Sequence, residues 1–249
     1  MKDSDLICPL ELSNVSHSYK HVHVIENLTM TAKLNEIVVM VGPSGCGKTT
    51  ILNMLSGHLK PSAGTVTKQG AIRTVYQQDG LFPWLTVKEN IGMGLQKVEA
   101  PERDQNITEL IELIHLQGFE NHYPHQLSGG MKQRVELARV LAGESDILLM
   151  DEPFSALDYQ TRLRMRRELI DLLSKRPKTV IFVTHDIDEA VQLADRILVL
   201  SKRPTYISRE LILDEPHPRA ATSPAIIEAM NIILTELGLN STIDQYENV

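Results

Sequence analysis

Gly42-Pro43-Ser44-Gly45-Cys46-Gly47-Lys48-Thr49-Thr50 is the stretch on which the reading of the chain turns. It follows an uninterrupted apolar run, Ile37-Val38-Val39-Met40-Val41, of the kind found in a strand buried on both faces. It precedes a helix-like run, Ile51 to Leu59. Strand, glycine loop, Lys-Thr and helix, in that order, form the phosphate-loop pattern G-x-x-x-x-G-K-[ST]. A polyphosphate needs many donors in a space where few side chains fit. Glycines let the backbone curl until successive N–H groups face inward as an anion nest. A helix starting near Gly47 adds unpaired N–H groups and its positive dipole end. Lys48 supplies a point charge for the outer phosphates, and the Thr49 hydroxyl is placed to ligate Mg²⁺. A chance glycine turn is the alternative, which the order of flanking elements disfavours. By itself the loop says only that a nucleoside triphosphate is bound.

Outward from this loop, 249 residues suit one α/β domain with a sizeable core, or one domain with a small subdomain. Strand-like and helix-like runs alternate, which argues a parallel or mixed sheet covered by helices. The formal charge of −7 makes a nucleic-acid partner a poor expectation, while leaving local phosphate binding open. The two cysteines, Cys8 and Cys46, are far apart and form no zinc spacing, as in a reducing compartment. Cys46 reads as a small filler in the phosphate loop, or as a thiol whose alkylation blocks it. No run of 18 apolar residues offers a spanning helix, and the charged start Met1 to Leu6 is no signal peptide. A cytosolic chain is expected, with any membrane association made through a partner.

In chain order, strands are expected at Leu10 to Tyr19, His23 to Ala32, Ile37 to Val41, Thr65 to Lys68, Ile72 to Tyr76, Ile147 to Met150, Thr179 to Val183, Arg196 to Leu200 and Ile207 to Leu213. Thr86-Val87-Lys88-Glu89 has the look of a capping box opening a helix. Helical periodicity then runs to about Tyr123, broken near Glu99 to Gln105. The block 86–140 reads as a helical subdomain inserted in the α/β core. Further helices are expected from Ser128 through Ala142, Thr161 to Ser174, Ile187 to Leu193 and Ser223 to Leu237. The domain spans 8–240, and 241–249 is a polar tail.

A second phosphate-site motif is Ile147-Leu148-Leu149-Met150-Asp151-Glu152, an apolar strand ending in two carboxylates. Asp151 suits the Mg²⁺ shell. Glu152, one step past the strand, can polarise a water in line with the γ-phosphate. Two acids after a strand are often only a solvated strand end, and the upstream phosphate loop is what sharpens the reading. Leu127-Ser128-Gly129-Gly130-Met131, followed by Lys132-Gln133-Arg134, is chemically another anion site: a hydroxyl and two glycines at a helix start. A glycine-bearing N-cap is the plainer alternative.

With these motifs in place, nearly the whole chain resembles the nucleotide-binding subunit of ATP-binding cassette (ABC) transporters. The resemblance implies a P-loop NTPase core (a mixed, mainly parallel sheet with flanking helices) plus an N-terminal antiparallel β region and the inserted helical subdomain. Ser128, Gly129 and Gly130 match the signature that closes over ATP held by a second copy. Met131 stands where glutamine is usual. Tyr19 matches the aromatic that stacks on adenine, or is a strand-edge core tyrosine. Gln77 matches the loop glutamine that reaches Mg²⁺ and the attacking water; Gln78 is its neighbour, and counting back from Pro83 favours Gln77. Ser155 to Asp158 matches the D-loop, with Asp158 at the dimer-spanning site. His185 matches the switch histidine on the γ-phosphate; a histidine at a strand end is otherwise an ordinary polar residue.

What the resemblance implies is an ATPase, using ATP and Mg²⁺, that sandwiches two ATP molecules between two copies and pulls on transmembrane permease subunits. It would work peripherally, on the cytoplasmic face of the cell membrane, serving a solute-binding protein indirectly. The strings LFPWLTVKENI, MDEPFSALD and FVTHDIDEAVQLADRILVLSKRP look most like importers of the nitrate/sulfonate/taurine group. Importers of bicarbonate, cyanate, thiamine precursors or riboflavin are the alternative, and a soluble non-transport ABC ATPase is a further one. Trp84, the only tryptophan, is either an anchor for a membrane subunit or packed in the helical subdomain. The chain ends soon after its last expected helix, so no appended regulatory domain is expected.

Overall fold

Strand β3, Ile37–Val41, is buried at every position, and its side chains divide by alternation between two apolar clusters. Ile37, Val39 and Val41 face one cluster, and Val38 and Met40 face the other. That two-sided burial explains why the strand reads as a continuous apolar run. In the computed structural model, which describes residues 8–76 and 80–239, it lies at the centre of a six-stranded sheet.

The remaining strands are β1 (Leu10–Tyr19), β2 (Val22–Ala32), β4 (Ala63–Lys68), β5 (Ile72–Val75), β6 (Ile147–Asp151), β7 (Thr179–Thr184), β8 (Arg196–Leu200) and β9 (Ile207–Ile212). The larger sheet has the order β5-β6-β7-β3-β8-β9. Its pairs are parallel, except that β9 runs antiparallel to β8. A separate antiparallel sheet, β2-β1-β4, packs over one face together with α1 (Lys48–Ser56). On the other face lie α4 (Gly129–Ala142), α5 (Tyr159–Lys175), α6 (Ile187–Leu193) and α7 (Pro224–Glu236), while α2 (Val87–Gly92) and α3 (Glu102–Leu113) pack against α4 and each other. This is the mixed, mainly parallel sheet with flanking helices that the motifs imply.

Helix α3 begins at Glu102, inside the break expected near Glu99 to Gln105, and ends at Leu113, well short of Tyr123. Helices α1 and α5 also differ from their expected limits, for identifiable reasons. Helix α1 stops at Ser56 and not Leu59, because Gly57 takes a left-handed conformation (φ 89°) and its N–H bonds Met54 O. Helix α5 starts at Tyr159 and not Thr161, because the Asp158 carboxylate accepts the Thr161 N–H at 3.0 Å and caps it. The Thr86–Glu89 capping box is formed reciprocally, with the Thr86 hydroxyl accepting from Glu89 N–H and the Glu89 carboxylate from Thr86 N–H. Among the described residues no helix is long and apolar enough to cross a membrane.

The order β6-β7-β3 is what assembles a site. These parallel strands end on the same edge of the sheet, and their carboxyl ends deliver Asp151, Thr184 and Val41 to one crevice.

Candidate nucleotide site

The loop after β3 is packed from both sides. A Cβ at Gly42 would lie 2.9 Å from Leu200 Cβ, at the end of β8. A Cβ at Gly47 would lie 2.8 Å from Val24 Cγ1, and Gly47 has φ 118° as the N-cap of α1, so a glycine is required there on both counts. Pro43 O accepts the Cys46 N–H at 3.2 Å, which closes the curl. Ser44, Gly45 and Thr49 are exposed at the rim, whereas Thr50 is buried. Lys48 is buried, its ammonium donating to Gly42 O (2.7 Å) and Pro43 O (3.1 Å). The loop's own carbonyls thus hold the charge at its base. Cys46 is 2% exposed, and burial pushes its thiol pKa up against the opposing pull of Lys48. It is a packed filler; low exposure and a disfavoured thiolate both suppress alkylation.

Thr49 and Asp151 meet across the crevice, the hydroxyl donating to Asp151 Oδ2 at 2.7 Å. Asp151 is 4% exposed. Its pKa is raised by burial, the Thr49 hydrogen bond opposing and the neighbouring Glu152 charge adding to the rise. A buried carboxylate with one hydroxyl partner is short of positive charge. Together these two oxygens fit a hard divalent cation, which prefers oxygen donors. Among the described residues no cluster of three His, Cys, Asp or Glu could hold a metal, so phosphate oxygens and water would complete such a shell.

Glu152 and His185 also come together, His185 Nδ1 lying 3.1 Å from Glu152 Oε2. Glu152 has φ 48°, a left-handed conformation that costs a non-glycine residue energy and occurs mostly where the surroundings over-determine it. They do so here. Its N–H bonds Val183 O at 2.9 Å, and its carbonyl accepts from Ser155 N–H and from Gln133 Nε2. His185 is more than half exposed. The following turn is braced by Asp186, which caps α6 and pairs with Arg162 at 2.9 Å.

Ser128 is the N-cap of α4, its hydroxyl accepting the Met131 N–H at 3.3 Å. Gly129 is open, while a Cβ at Gly130 would lie 3.1 Å from Ala156 O. The signature therefore leans on the 155–158 turn. Among the described residues no hydrogen bond joins 128–130 to 42–50, so one chain does not close its own signature over its own loop by such bonds. Asp158 spends its carboxylate on the α5 cap, and those hydrogen bonds from Thr161 hold its pKa below the usual range. Tyr19 closes β1, is 47% exposed, and meets the His17 ring edge-on at 4.7 Å. It is not a core tyrosine. Gln77 and Gln78 lie outside the described residues. Trp84 is 69% exposed and leans on Phe82, over which Arg139 sits. The packed alternative for Trp84 is therefore excluded.

Gln133 is the residue that the motif reading passes over. It is buried, donating to Glu152 O (3.2 Å) and Ser155 Oγ (3.4 Å) and accepting the Ala156 N–H (3.0 Å). A buried amide one turn into α4 thereby ties the signature helix to the backbone of Glu152. Its only signal in the sequence is a polar residue on a face otherwise destined for the core.

Comparison with known proteins gives the family and the fold. The ABC transporter family profile matches residues 25–155. An uncharacterised ABC transporter ATP-binding protein of Methanocaldococcus jannaschii is 44% identical over 226 residues, 87% of this chain and 85% of the relative. An aliphatic sulfonates import ATP-binding protein of Bacillus licheniformis is 39% identical over 232 residues, 90% of this chain and 91% of the relative. A solved dimeric ATP-binding cassette in a post-hydrolysis state, bound to ADP and Pi, superposes with a TM-score of 0.75 at 34% identity, covering 83% of this chain and all of that one. The chain belongs to the ABC transporter family, as one of its ATPase cassettes.

Proposed function

We propose that this cassette powers an importer. Two copies sandwich ATP head to tail, close and reopen with hydrolysis, and drive permease subunits from the cytoplasmic face of the membrane. The observation that carries the reading is the pairing at one crevice of two constellations, Thr49 with Asp151 at 2.7 Å and Glu152 with His185 at 3.1 Å. The loop 42–50 and the start of α1 bind the phosphates. Lys48 moves its ammonium from the Gly42 and Pro43 carbonyls to the outer phosphate oxygens. Thr49 and Asp151, together with Gln77, would hold Mg²⁺, which when bound would neutralise charge developing on the transferring phosphoryl group. Glu152 accepts the proton of the attacking water. His185 orients that carboxylate and donates to the γ-phosphate. Ser128, Gly129 and Gly130 supply the missing donors from the second copy, Asp158 lies at the copy-to-copy boundary, and Tyr19 offers its exposed face to adenine.

The aliphatic-sulfonate import relatives support a sulfonate-type solute. Within the proposal the solute is a small anion of the nitrate, sulfonate or taurine group, brought by a solute-binding protein. Exposed Trp84 is the proposed anchor for the permease.

Glu152→Gln tests the scheme. It is expected to lose turnover by at least a hundredfold, within the range of general-base contributions, and to form an ATP-dependent dimer by sedimentation. A Glu152→Gln variant that hydrolyses ATP at the parental rate overturns the role of Glu152. One that stays monomeric at saturating ATP overturns the sandwich.

A further inference from the structure

The turn between β8 and β9, Ser201 to Tyr206, has no part in the scheme above, yet it is bound to the phosphate loop. Thr205 is fully buried. Its N–H donates to Val24 O at 2.8 Å, and its carbonyl accepts the Glu26 N–H at 3.1 Å, so it bridges to β2 beside Ile25. Its hydroxyl donates to Cys46 O, within the phosphate loop itself. Within the turn, Ser201 N–H donates to Tyr206 O, and the Ser201 hydroxyl both accepts from Tyr206 N–H and donates to the Lys202 and Pro204 carbonyls. A short, internally bonded turn is thus pinned at one residue to both β2 and the loop.

Two residues before that pin stands Arg203. It is exposed, and its Nη2 lies 3.8 Å from where a Cβ on Gly45 would be. Gly45 is likewise exposed, at the rim of the cradle. Among the described residues no carboxylate pairs with Arg203. Both Arg203 and Lys48 are close enough to favour ionisation of Cys46, so their fields overlap in the loop. An unpaired guanidinium, held against the rim of an anion nest by a rigid turn, is built to meet an anion. Its planar fork matches phosphate oxygens and is preorganised, so little entropy is lost on contact.

We propose that Arg203 is a second cationic arm of the phosphate loop, reaching the bound nucleotide's phosphates beside Gly45 while Lys48 holds them from the loop's base. This rests on residues 42–50 being the triphosphate cradle. Arg203 is then a binding residue that the phosphate-loop pattern does not contain, contributed by a part of the chain more than a hundred and fifty residues downstream.

The test is the affinity of the full chain for ATP, ADP and adenosine, measured by fluorescent-nucleotide displacement for the parent, Arg203→Ala, Arg203→Lys, Lys202→Ala and Lys48→Ala. Arg203→Ala is expected to weaken ATP about tenfold, at the low end for a charge-assisted hydrogen bond because the site is exposed. ADP should weaken as well, with adenosine unchanged. Arg203→Lys should recover part of the loss, because charge is kept and the fork is not. Lys202→Ala should stay within about twofold, as for a surface charge off the site. If Arg203→Ala binds ATP like the parent while Lys48→Ala does not, the proposal is overturned and the cradle stands. If Lys48→Ala also binds like the parent, the cradle reading itself falls. A loss that extends equally to adenosine, or that Arg203→Lys leaves unrelieved, assigns Arg203 to loop shape alone and overturns the proposal.

Discussion

Asp151 sits in an environment at odds with its charge. Burial raises its pKa above 3.8, so the folded nucleotide-free protein holds the proton more tightly than the unfolded chain. The sign follows from linkage. Its contribution to stability is fully present below the unfolded pKa and is lost as pH rises through the folded pKa. Asp151→Asn removes that loss and keeps an oxygen for Thr49. It is expected to raise the nucleotide-free melting temperature at pH 7 by about 2–4 °C, the effect of ~1 kcal/mol in a chain of this size, while losing Mg²⁺-dependent ATP turnover. A variant that melts below the parent would contradict the electrostatic account. Gln133 makes the opposite case, since its partners are satisfied. Gln133→Leu leaves the Ala156 N–H and one bond to Glu152 O unmade, at a cost of about 1 kcal/mol. Its kcat should fall several times more than its ATP affinity changes, because the lost bonds position Glu152 and do not touch the nucleotide. Equal changes in both, read from steady-state kinetics alongside equilibrium binding, would remove Gln133 from that role.

At the scale of elements, the sheet is locked by charge as well as by apolar burial. Arg196 on β8 is 9% exposed and bonds Glu36, Glu210 and Thr31 O, joining β8 to β9 and to the β2–β3 connection. Removing one partner of such a pair strands the other charge. Arg196→Ala is expected to destabilise by about 3 kcal/mol in urea titration. The loss should be smaller in the double variant with Glu36→Gln; a double variant as unstable as the sum of the singles would show that the pair does not couple. The α2 cap is a smaller lever: Thr86→Ala should cost about 1 kcal/mol. Both elements were legible beforehand to different degrees. The capping box is a local pattern, and its spacing names the residues. The Arg196 tie is not, because Glu36 lies 160 residues away in the chain and only strand order brings it to the β8–β9 pair.

For the whole molecule, a composite site predicts complementation. Lys48→Ala spoils the loop of its own copy, and Ser128→Arg spoils the signature that it lends to its partner. Each variant alone should be inactive as a dimer. Mixed, they form pairs in which one site combines an intact loop with an intact signature, as a symmetric head-to-tail assembly requires. ATPase activity should reappear on mixing. A mixture as inactive as its parts would mean that the sites do not combine residues from two copies.

By itself the sequence determined the chemistry of the cradle and where along the chain the strands that carry it lie. Those signals are local: a glycine loop between an apolar strand and a helix, two acids after another apolar strand, a hydroxyl and glycines opening a third element. Only the tertiary structure decided which of these groups meet. The order β6-β7-β3-β8 puts Glu152 against His185 and Thr49 against Asp151, and carries the Arg203 turn to Gly45. The structure alone turned Trp84 outward and Gln133 inward. The physical reason is that periodicity records which face of an element is apolar, whereas contacts between distant residues depend on strand order and on how the connecting turns pack.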